Sequence, residues 1–415
     1  MESDFVTWLG VISRFVHVLA AIMWIGNSLL FTWMEFNLIK PSGQDPDTLG
    51  ILDMLHGGGV YHLEKRVLRA GEIPSPLHWF MWQSYTTWIA GFVLLLTLYH
   101  SGSGTFFLDA TKSTLPGWAA VGLSLGGILG GWLVYDGIWR SPLRKFPRFA
   151  LLFSLLLLFT AAAFYNQIFN GRAVYLQIGA MMGTLMTANV FFHIIPNQRK
   201  FMTALEAGLP HDLELGKQAK SRSLQNHYLT FPVLFLMLSA HFPQLTGADW
   251  NIPILVVLVV SLMLIKLLMN SRYHFRDWLP CLGGTFLFSC SAIFIFLALP
   301  GIMHSSKSPE QIQIAAGKQL FLGKGCAACH MQGSSALAPD LHGVFGATQR
   351  LADGKEVLAD ELYLRESILA PQAKIVKGHH PTMPVFAGLL TEPQVDSLIA
   401  YIRSLGMSPL PATAH

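Results

Sequence analysis

The chain has 415 residues, of which 52% are hydrophobic and 13% are charged. A soluble domain carries about 25% charged residues, so the apolar side chains exceed what a water-soluble core can bury. This composition excludes a disordered chain, a nucleic-acid-binding protein and a disulfide-rich secreted scaffold, and it indicates a membrane protein. The net charge of +4 arises within residues 1–304, because residues 305–415 hold nine basic and nine acidic side chains.

Eight apolar stretches approach the length of about 20 residues that a helix needs to cross a bilayer. They cover residues 8–31, 79–100, 117–138, 149–169, 174–195, 228–243, 252–270 and 279–303. The sixth is the shortest and contains Pro232. The pattern predicts an all-α protein, with an eight-helix transmembrane bundle over residues 1–304, a linker over 305–309 and a small helical domain over 310–408.

The basic residues of the connections predict the orientation of the helices. The connections after the first, third, fifth and seventh stretches hold fifteen Lys and Arg, whereas the opposite connections hold Lys112 and Arg172. Because cytoplasmic loops carry the excess of basic residues, the first set is expected inside. The N-terminus and everything beyond His304 are then expected on the periplasmic side of a bacterial inner membrane.

The third stretch carries glycines at four-residue spacing. One row contains Gly122, Gly126 and Gly130, and a second contains Gly127 and Gly131. Small residues at this spacing are typical of helices that pack closely in a membrane.

The four cysteines fall into two pairs with different chemistry. Cys281 and Cys290 would lie about 13.5 Å apart along a helix and on opposite faces, too far for a disulfide, and they are expected to be small buried hydrophobic residues. Cys326-Ala-Ala-Cys329-His330 is the attachment motif of a c-type haem, in which the thiols form thioethers and the histidine ligates the iron. A zinc site would need a second ligand pair, and a thioredoxin-like redox pair would not need His330.

The tail around this motif resembles a class I cytochrome c over residues 309–406. An amphipathic segment at Gly317–Phe321 leads into the motif, and a terminal helix is expected around Val395–Leu405. The resemblance implies one covalent haem c and makes Met383, in Thr382-Met383-Pro384, the distal iron ligand, with a core methionine as the alternative. Covalent haem attachment in bacteria takes place outside the cytoplasmic membrane, in agreement with the orientation expected from the loop charges.

Polar and aromatic side chains concentrate in the connections expected inside. His56 and His62 flank three glycines whose backbone can approach a ligand, although a solvated turn explains the same string. Arg140 closes the third stretch, and Gln198 and Arg199 follow the fifth. With the tryptophans at the start of the second stretch, these side chains suit a flat, polar, anionic heterocycle.

Several strings of the membrane part are similar to those of the membrane-bound bacterial urate oxidases, and the similarity covers essentially the whole chain. The strings are His56-Gly-Gly-Gly-x-Tyr-His62, Trp132–Asp136, Gly179–Thr184, Ala188–Phe192, Ile195–Lys200 and Tyr228–Leu234. The resemblance implies an eight-helix region joined to a cytochrome c. It also implies oxidation of urate to 5-hydroxyisourate in purine catabolism, with electrons leaving through the cytochrome and not as peroxide.

One departure from that family lies at the start of the sixth stretch. The family has His-Asn-Asn there, whereas this chain has Gln225-Asn226-His227. A histidine role at position 225 therefore does not carry over.

The predicted mechanism has Gln198 and Arg199, helped by Arg140, holding the urate anion. A histidine of the His56–His62 segment takes a proton as two electrons leave, and water adds to the oxidised ring carbon. The expected electron acceptor beyond the haem is a soluble cytochrome c or a terminal oxidase.

A substrate site inside and a haem outside would be separated by about 30 Å of hydrocarbon, which suggests a b-type haem between them. His17 and His241 are expected at similar depths and would ligate its iron, with Arg14 near a propionate. Hydrogen-bonded core histidines are the alternative.

Two other functions fit parts of the sequence. A membrane-anchored electron carrier between quinol and a terminal oxidase would not need eight helices and a long first inside segment. A transporter with a fused cytochrome is disfavoured by the scarcity of broken helices and of acids inside the membrane.

Overall fold

The computed structural model describes residues 2–40, 45–69, 73–100, 107–109, 112–209, 213–303, 309–330 and 338–406. Helices dominate both parts of the chain. The N-terminal part contains α1 (Glu2–Asn37), α2 (Trp82–Leu94), α3 (Gly117–Arg140), α4 (Pro147–Asn166), α5 (Gly171–Asn189), α6 (Ile195–Glu206), α7 (Leu213–Leu238), α8 (Pro243–Thr246), α9 (Asn251–Ser271) and α10 (Trp278–Met303). The tail contains α11 (Pro309–Gly323), α12 (Ala327–His330), α13 (Glu361–Leu369) and α14 (Glu392–Ser404). Of the predicted linker, only Pro309 lies within the described residues.

Six of the described helical segments are long and apolar enough to cross a membrane. They are Trp8–Asn37, Gly117–Arg140, Pro147–Asn166, Gly171–Glu206, Asn251–Ser271 and Trp278–Leu299. The second and sixth predicted spans are not among them, because α2 has 13 residues before a π-helical turn at Leu95–His100 and α7 is polar through its first half. Both helices nevertheless pack within the bundle, α2 against α1 and α7 against α5 and α9. Six spans are thus supported, and the other two stay predictions.

The protein is mostly helical, as predicted, and it also contains two short β-hairpins that the sequence analysis did not predict. Strands β1 (Thr48–His56) and β2 (Gly59–Arg66) form an antiparallel hairpin between α1 and α2. Gly57 and Gly58 make its two-residue turn, with φ angles of 61° and 82° that favour glycine. A second hairpin, β3 (Thr348–Arg350) with β4 (Glu356–Leu358), lies in the tail.

Helix α5 lies at the centre of the bundle, where Tyr175, Ile178 and Met182 are fully buried. Its buried Gln177 is satisfied by Ser124 of α3, since the Gln177 amide accepts from the Ser124 hydroxyl and donates to the Ser124 carbonyl, both at 2.8 Å. Because both polar atoms of the Gln177 amide are hydrogen-bonded, burying this side chain costs little folding free energy.

The two glycine rows of α3 behave differently. A Cβ at Gly127 would lie 1.5 Å from the Tyr165 hydroxyl oxygen, and one at Gly131 would lie 2.6 Å from Met181 Cε. Close packing is therefore confirmed for this row. The other row has open space, because a Cβ at Gly122, Gly126 or Gly130 would meet nothing within 4 Å.

Helix α10 packs along α9 and exposes much of its remaining surface. Cys281 and Cys290 lie on that exposed surface, so the expectation that they are buried was wrong. Their apolar neighbours Phe286, Leu287 and Phe288 are also exposed, as is typical of a helix face that meets lipid.

The tail has its own core, in which α11 packs across α14. Gly317 makes the crossing possible, since a Cβ there would lie 1.8 Å from the Ser397 carbonyl oxygen. Phe321, Leu364, Val395 and Ile399 are buried in this core.

The tail rests on the bundle at the end of α7. Helix α11 contacts α8, a Cβ at Gly247 would lie 3.0 Å from Leu322, and Lys318 Nζ lies 3.6 Å from an Asp249 carboxylate oxygen. The tail therefore sits at the bundle end opposite to the N-terminal half of α7.

Candidate active site and haem site

A cavity of about 350 Å³ lies near the start of α6, away from the tail. Its lining contains the Trp79 ring, His78, Gln198, Phe201 and Met202, with further lining from Leu77 and Gly216. The segment before α2 supplies the first two of these side chains and α6 supplies the next three. An indole face, an amide and an imidazole thus meet in one cavity, and these groups can stack on and hydrogen-bond to a flat heterocycle.

Arg199 lies beside this cavity. Its guanidinium carbon is 5.9 Å from the centre of the Trp79 ring, and its Nη2 lies 3.7 Å from Met81 Sδ. The structure therefore brings Gln198 and Arg199, both predicted from the sequence, to the same aromatic surface. An exposed guanidinium over that ring is placed to receive an anion.

A second polar group, the Asp136 cluster, consists of Asp136, His193, Arg222 and Arg140. Asp136 Oδ1 lies 2.6 Å from His193 Nε2 and accepts a hydrogen bond from Arg222 Nη2 at 2.7 Å, while Oδ2 lies 2.6 Å from Arg140 Nε. The Asp136 and Arg222 side chains are only 10% and 7% exposed, so this is a buried ion pair, whereas Arg140 is 62% exposed at its rim. Arg140 is thus placed at this cluster, and its part in holding the substrate remains a prediction.

Amide and phenol groups extend the Asp136 cluster toward α7. Arg222 Nη1 donates to Asn189 at 3.3 Å, and Asn189 Nδ2 donates to Asn226 at 2.9 Å and to the Tyr135 hydroxyl at 3.2 Å. The Tyr135 hydroxyl donates in turn to Gln225 Oε1. A continuous chain of hydrogen-bonding groups therefore leads from Asp136 to Gln225, the position where the family has histidine.

His193 occupies a special backbone segment. Val190–Ile194 is a π-helical turn between α5 and α6, and such turns are frequent at functional sites. The turn contributes His193 to the Asp136 cluster and leads directly into α6, whose Gln198, Phe201 and Met202 line the cavity. Neither His193 nor Arg222 was singled out from the sequence.

The hairpin histidines lie apart from these side chains in the described contacts. His62 is exposed and pairs through Nδ1 with Asp53 at 2.7 Å, and His56 is exposed where β1 meets the turn. The hairpin is attached to α1, where Lys65 pairs with Glu35 and Ile39 exchanges backbone hydrogen bonds with Ile51. Catalytic roles for His56 and His62 remain predictions.

Two buried nitrogen groups lie between α1, α7 and α9. Lys266 is 3% exposed, with its ammonium 5.1 Å from the Phe231 ring centre. His227 is 4% exposed, and its Nδ1 lies 3.4 Å from the Thr32 hydroxyl. A lysine inside an apolar span indicates a functional residue. Lys266 meets this criterion, and the sequence analysis did not identify it.

The haem motif lies on α12 with geometry suited to its cofactor. His330 Nδ1 donates to the Pro339 carbonyl at 2.9 Å, which orients the ring and leaves Nε2 for iron. Burial lowers the pKa of His330, so the neutral form that binds metals is favoured. Cys326 and Cys329 lie on or beside the same short helix, and these three residues fit a covalently bound haem c. Met383, half-buried in the segment before α14, remains a predicted ligand.

The residues predicted for a haem b lie in different environments. His17 Nδ1 donates to the Thr87 carbonyl at 2.8 Å, and the imidazole lies against Gly91, where a Cβ would meet it at 2.7 Å. His241 is exposed at the end of the 3-10 turn that follows α7, and Arg14 is exposed on α1. A shared iron between His17 and His241 remains a prediction.

Comparison with known proteins covers both parts of the chain. Residues 3–297 match the family described as urate oxidase N-terminal, and residues 314–406 match cytochrome c. The tail is also similar to cytochrome c2 of Blastochloris viridis, at 34% identity over 115 residues, which is 25% of this chain and 86% of that relative. The chain therefore belongs to the urate oxidase N-terminal family and carries a C-terminal cytochrome c domain, which implies a covalently bound haem c.

Proposed function

We propose that this protein oxidises urate to 5-hydroxyisourate in the membrane and transfers the electrons to its own haem c. The assignment of urate as the substrate rests on the cavity in which Trp79, His78 and Gln198 meet beside Arg199. The family match supports the reaction, and the cytochrome c domain supports the route of the electrons.

The cavity suggests how urate is held. The Trp79 ring offers a stacking face, and the Gln198 amide offers both a donor and an acceptor to the edge of a purine ring. Arg199, already beside that ring, neutralises the urate anion with a charge-assisted hydrogen bond. Arg140 would assist from the rim of the Asp136 cluster.

The reaction requires a proton acceptor near the substrate. Urate and water give 5-hydroxyisourate, two electrons and two protons, so a base must take a proton as water adds. His78 lines the cavity, whereas His56 and His62 would act only if the hairpin approached the bound substrate. We propose His78 as the first candidate and keep the hairpin histidines as the second.

Kinetics of three variants would separate these candidates. His78→Ala is expected to lower kcat by about a hundredfold, the smaller end of what one acid–base group contributes. In that case His62→Ala and His56→Ala would retain most of kcat. The reverse pattern would assign the base to the hairpin.

The topology separates the substrate from the haem. The excess of basic residues predicts that the cavity end is cytoplasmic, and the tail rests on the other end. Asn226 belongs to the hydrogen-bonded extension of the Asp136 cluster. Along α7, Asn226 lies about 18 Å from the helix end at Leu238, at 1.5 Å per residue. The proposed location is therefore a bacterial inner membrane, with the cytochrome domain in the periplasm.

A haem c held by this domain would supply one-electron transfer, and the proposed acceptor beyond it is a soluble cytochrome c or a terminal oxidase. Cys326, Cys329 and His330 would hold this group, and Met383 is the further iron ligand that the cytochrome c resemblance predicts. A haem b remains part of the proposal, with His17 as its better placed ligand because the Nδ1 bond to Thr87 leaves Nε2 available.

Product analysis tests the proposed function. Membranes containing the protein should convert urate to 5-hydroxyisourate in the presence of an electron acceptor, without stoichiometric hydrogen peroxide. Peroxide formed in equal amount to the urate consumed would contradict electron transfer through the cytochrome, and no urate consumption would contradict the substrate.

A further inference from the structure

A second and larger cavity, partly open to the outer surface of the bundle, is lined by α3, α4, α5, α7 and α9. It has a volume of about 750 Å³ and an almost entirely apolar lining, which includes Gly130, Leu151, Leu158, Met182 and Leu264. A cavity of this size within the membrane bundle is therefore suited to a lipophilic molecule.

One end of this cavity carries polar groups with unused hydrogen-bonding capacity. Trp139 Nε1 and Gln225 Nε2 are buried, and neither has a partner within the described residues. Both side chains line the cavity on either side of Tyr135, whose ring centre is 6.2 Å from that of Trp139 and whose hydroxyl donates to Gln225 Oε1. Two buried N–H groups without acceptors among the described residues are available to donate hydrogen bonds to a bound molecule.

The shape of the cavity indicates the form of the rest of the bound molecule. Along α3 the cavity extends from Trp139 to Gly127, which is about 18 Å at 1.5 Å per residue. The polar groups lie at the end where α3 finishes, and apolar side chains line the remainder. An occupant should therefore have a compact head that accepts hydrogen bonds and a long hydrocarbon tail.

The lack of charge at the donor end of the cavity favours a lipophilic molecule with a neutral head group over one with a charged head group. The partnerless donors are a neutral indole and a neutral amide, which match a neutral carbonyl better than a phosphate. Arg148, the one cation among the described lining residues, is exposed. No histidine is among the described residues that line the cavity, so it does not offer the usual ligand of a haem b.

We propose that this cavity binds an isoprenoid quinone, with a quinone carbonyl accepting hydrogen bonds from Trp139 and Gln225. The tail lies along α3 and passes Gly130, which leaves room because a Cβ there would meet nothing within 4 Å. The quinone head then lies next to the chain of hydrogen-bonding groups from Gln225 to Asp136. This binding does not depend on urate being the substrate.

Photolabelling of the full-length haem-containing protein in nanodiscs tests the proposal. The probe is an azido-ubiquinone, the competitor is decylubiquinone, and labelled peptides are identified by mass spectrometry. Wild-type protein should be labelled on α3 or α7, and decylubiquinone should abolish the labelling.

Glycine variants supply a matched pair. Gly130→Leu fills the cavity, whereas Gly126→Leu adds the same side chain to the same helix at a position that is also open but does not line the cavity. Labelling should fall at least tenfold in G130L and stay at the wild-type level in G126L. Equal labelling of wild type and G130L would overturn the proposal.

Donor variants keep the test valid if G130L does not fold, as judged by haem c content and a single gel-filtration peak. Trp139→Phe and Gln225→Leu each remove one N–H donor and should weaken decylubiquinone competition about fivefold, the equivalent of about 1 kcal/mol. Unchanged competition in both variants would overturn the hydrogen-bonding assignment. Competition by phosphatidylglycerol as effective as that by decylubiquinone would overturn the quinone and identify a lipid groove.

Discussion

Replacing Arg199 by alanine should weaken urate binding without disturbing the fold. The guanidinium is exposed, stands over the Trp79 ring at 5.9 Å and has a long contact with Met81 Sδ at 3.7 Å. Removing it breaks no buried ion pair, so the stability of the bundle should change by less than about 0.5 kcal/mol.

The size of the effect depends on the contact that the anion would make. A hydrogen bond to a charged group contributes about 1.5–3 kcal/mol, and about 1.4 kcal/mol corresponds to a factor of ten. Because Arg199 is exposed in the free protein, the lower part of this range applies. The KM for urate should rise about tenfold to thirtyfold, with kcat nearly unchanged, as is expected when binding is lost equally from the ground state and the transition state.

Steady-state urate oxidation by membranes with equal haem c content measures this effect. Lys200→Ala is the control, because it removes an adjacent exposed cation on the same helix without removing the group over Trp79. An unchanged KM in R199A would refute the placement of urate beside Trp79. A loss of haem content in proportion to activity would show a structural role instead.

Two further predictions concern the haem and the Asp136 cluster. Met383→Leu should keep the covalent haem c but convert its absorption spectrum to a high-spin form and lower its reduction potential, and an unchanged spectrum would exclude Met383 as a ligand. Arg222→Leu should destabilise the protein by about 3 kcal/mol, because Asp136 keeps its buried charge and loses a partner at 2.7 Å. Arg140→Leu removes the 62% exposed partner of the same carboxylate and should cost less than about 1 kcal/mol, so equal shifts of the unfolding midpoint in detergent would contradict the buried pair.

The haem site could be predicted from the sequence because its chemistry is local. Cys326, Cys329 and His330 lie within five consecutive residues, so the motif does not depend on the rest of the fold. Pro339, whose carbonyl orients the His330 ring, could not be predicted, since that contact depends on how the chain returns to the motif.

The hairpin between α1 and α2 has a recognisable sequence signal. Gly57 and Gly58 form a two-residue turn between two segments that pair in register from His56 and Gly59 outward. A Gly-Gly pair followed by the β-branched Val60 and the aromatic Tyr61 is a recognised hairpin signal. The run of three glycines alone predicts a ligand-binding loop or a solvated turn, and only the residues on both sides of it identify the hairpin.

Burial of charged side chains was the hardest feature to predict. Helix α7 contains several basic residues in its first half, and tertiary packing selects Arg222 among them. A weak signal exists, because the buried residues Ala219, Arg222, Asn226 and Thr230 follow the helical repeat and mark one face. That face meets α3 and α5 through Asp136 and Asn189, a pairing that helix periodicity alone does not identify.

Anaerobic mixing of the purified protein with urate tests the central claim most directly. With oxygen removed, urate should reduce haem c, as seen in its absorption spectrum, and one urate should supply two electrons. R199A should need a higher urate concentration for the same reduction. If dithionite or a quinol reduces haem c and urate does not, the protein is an electron carrier and the account of urate oxidation through its own cytochrome is wrong.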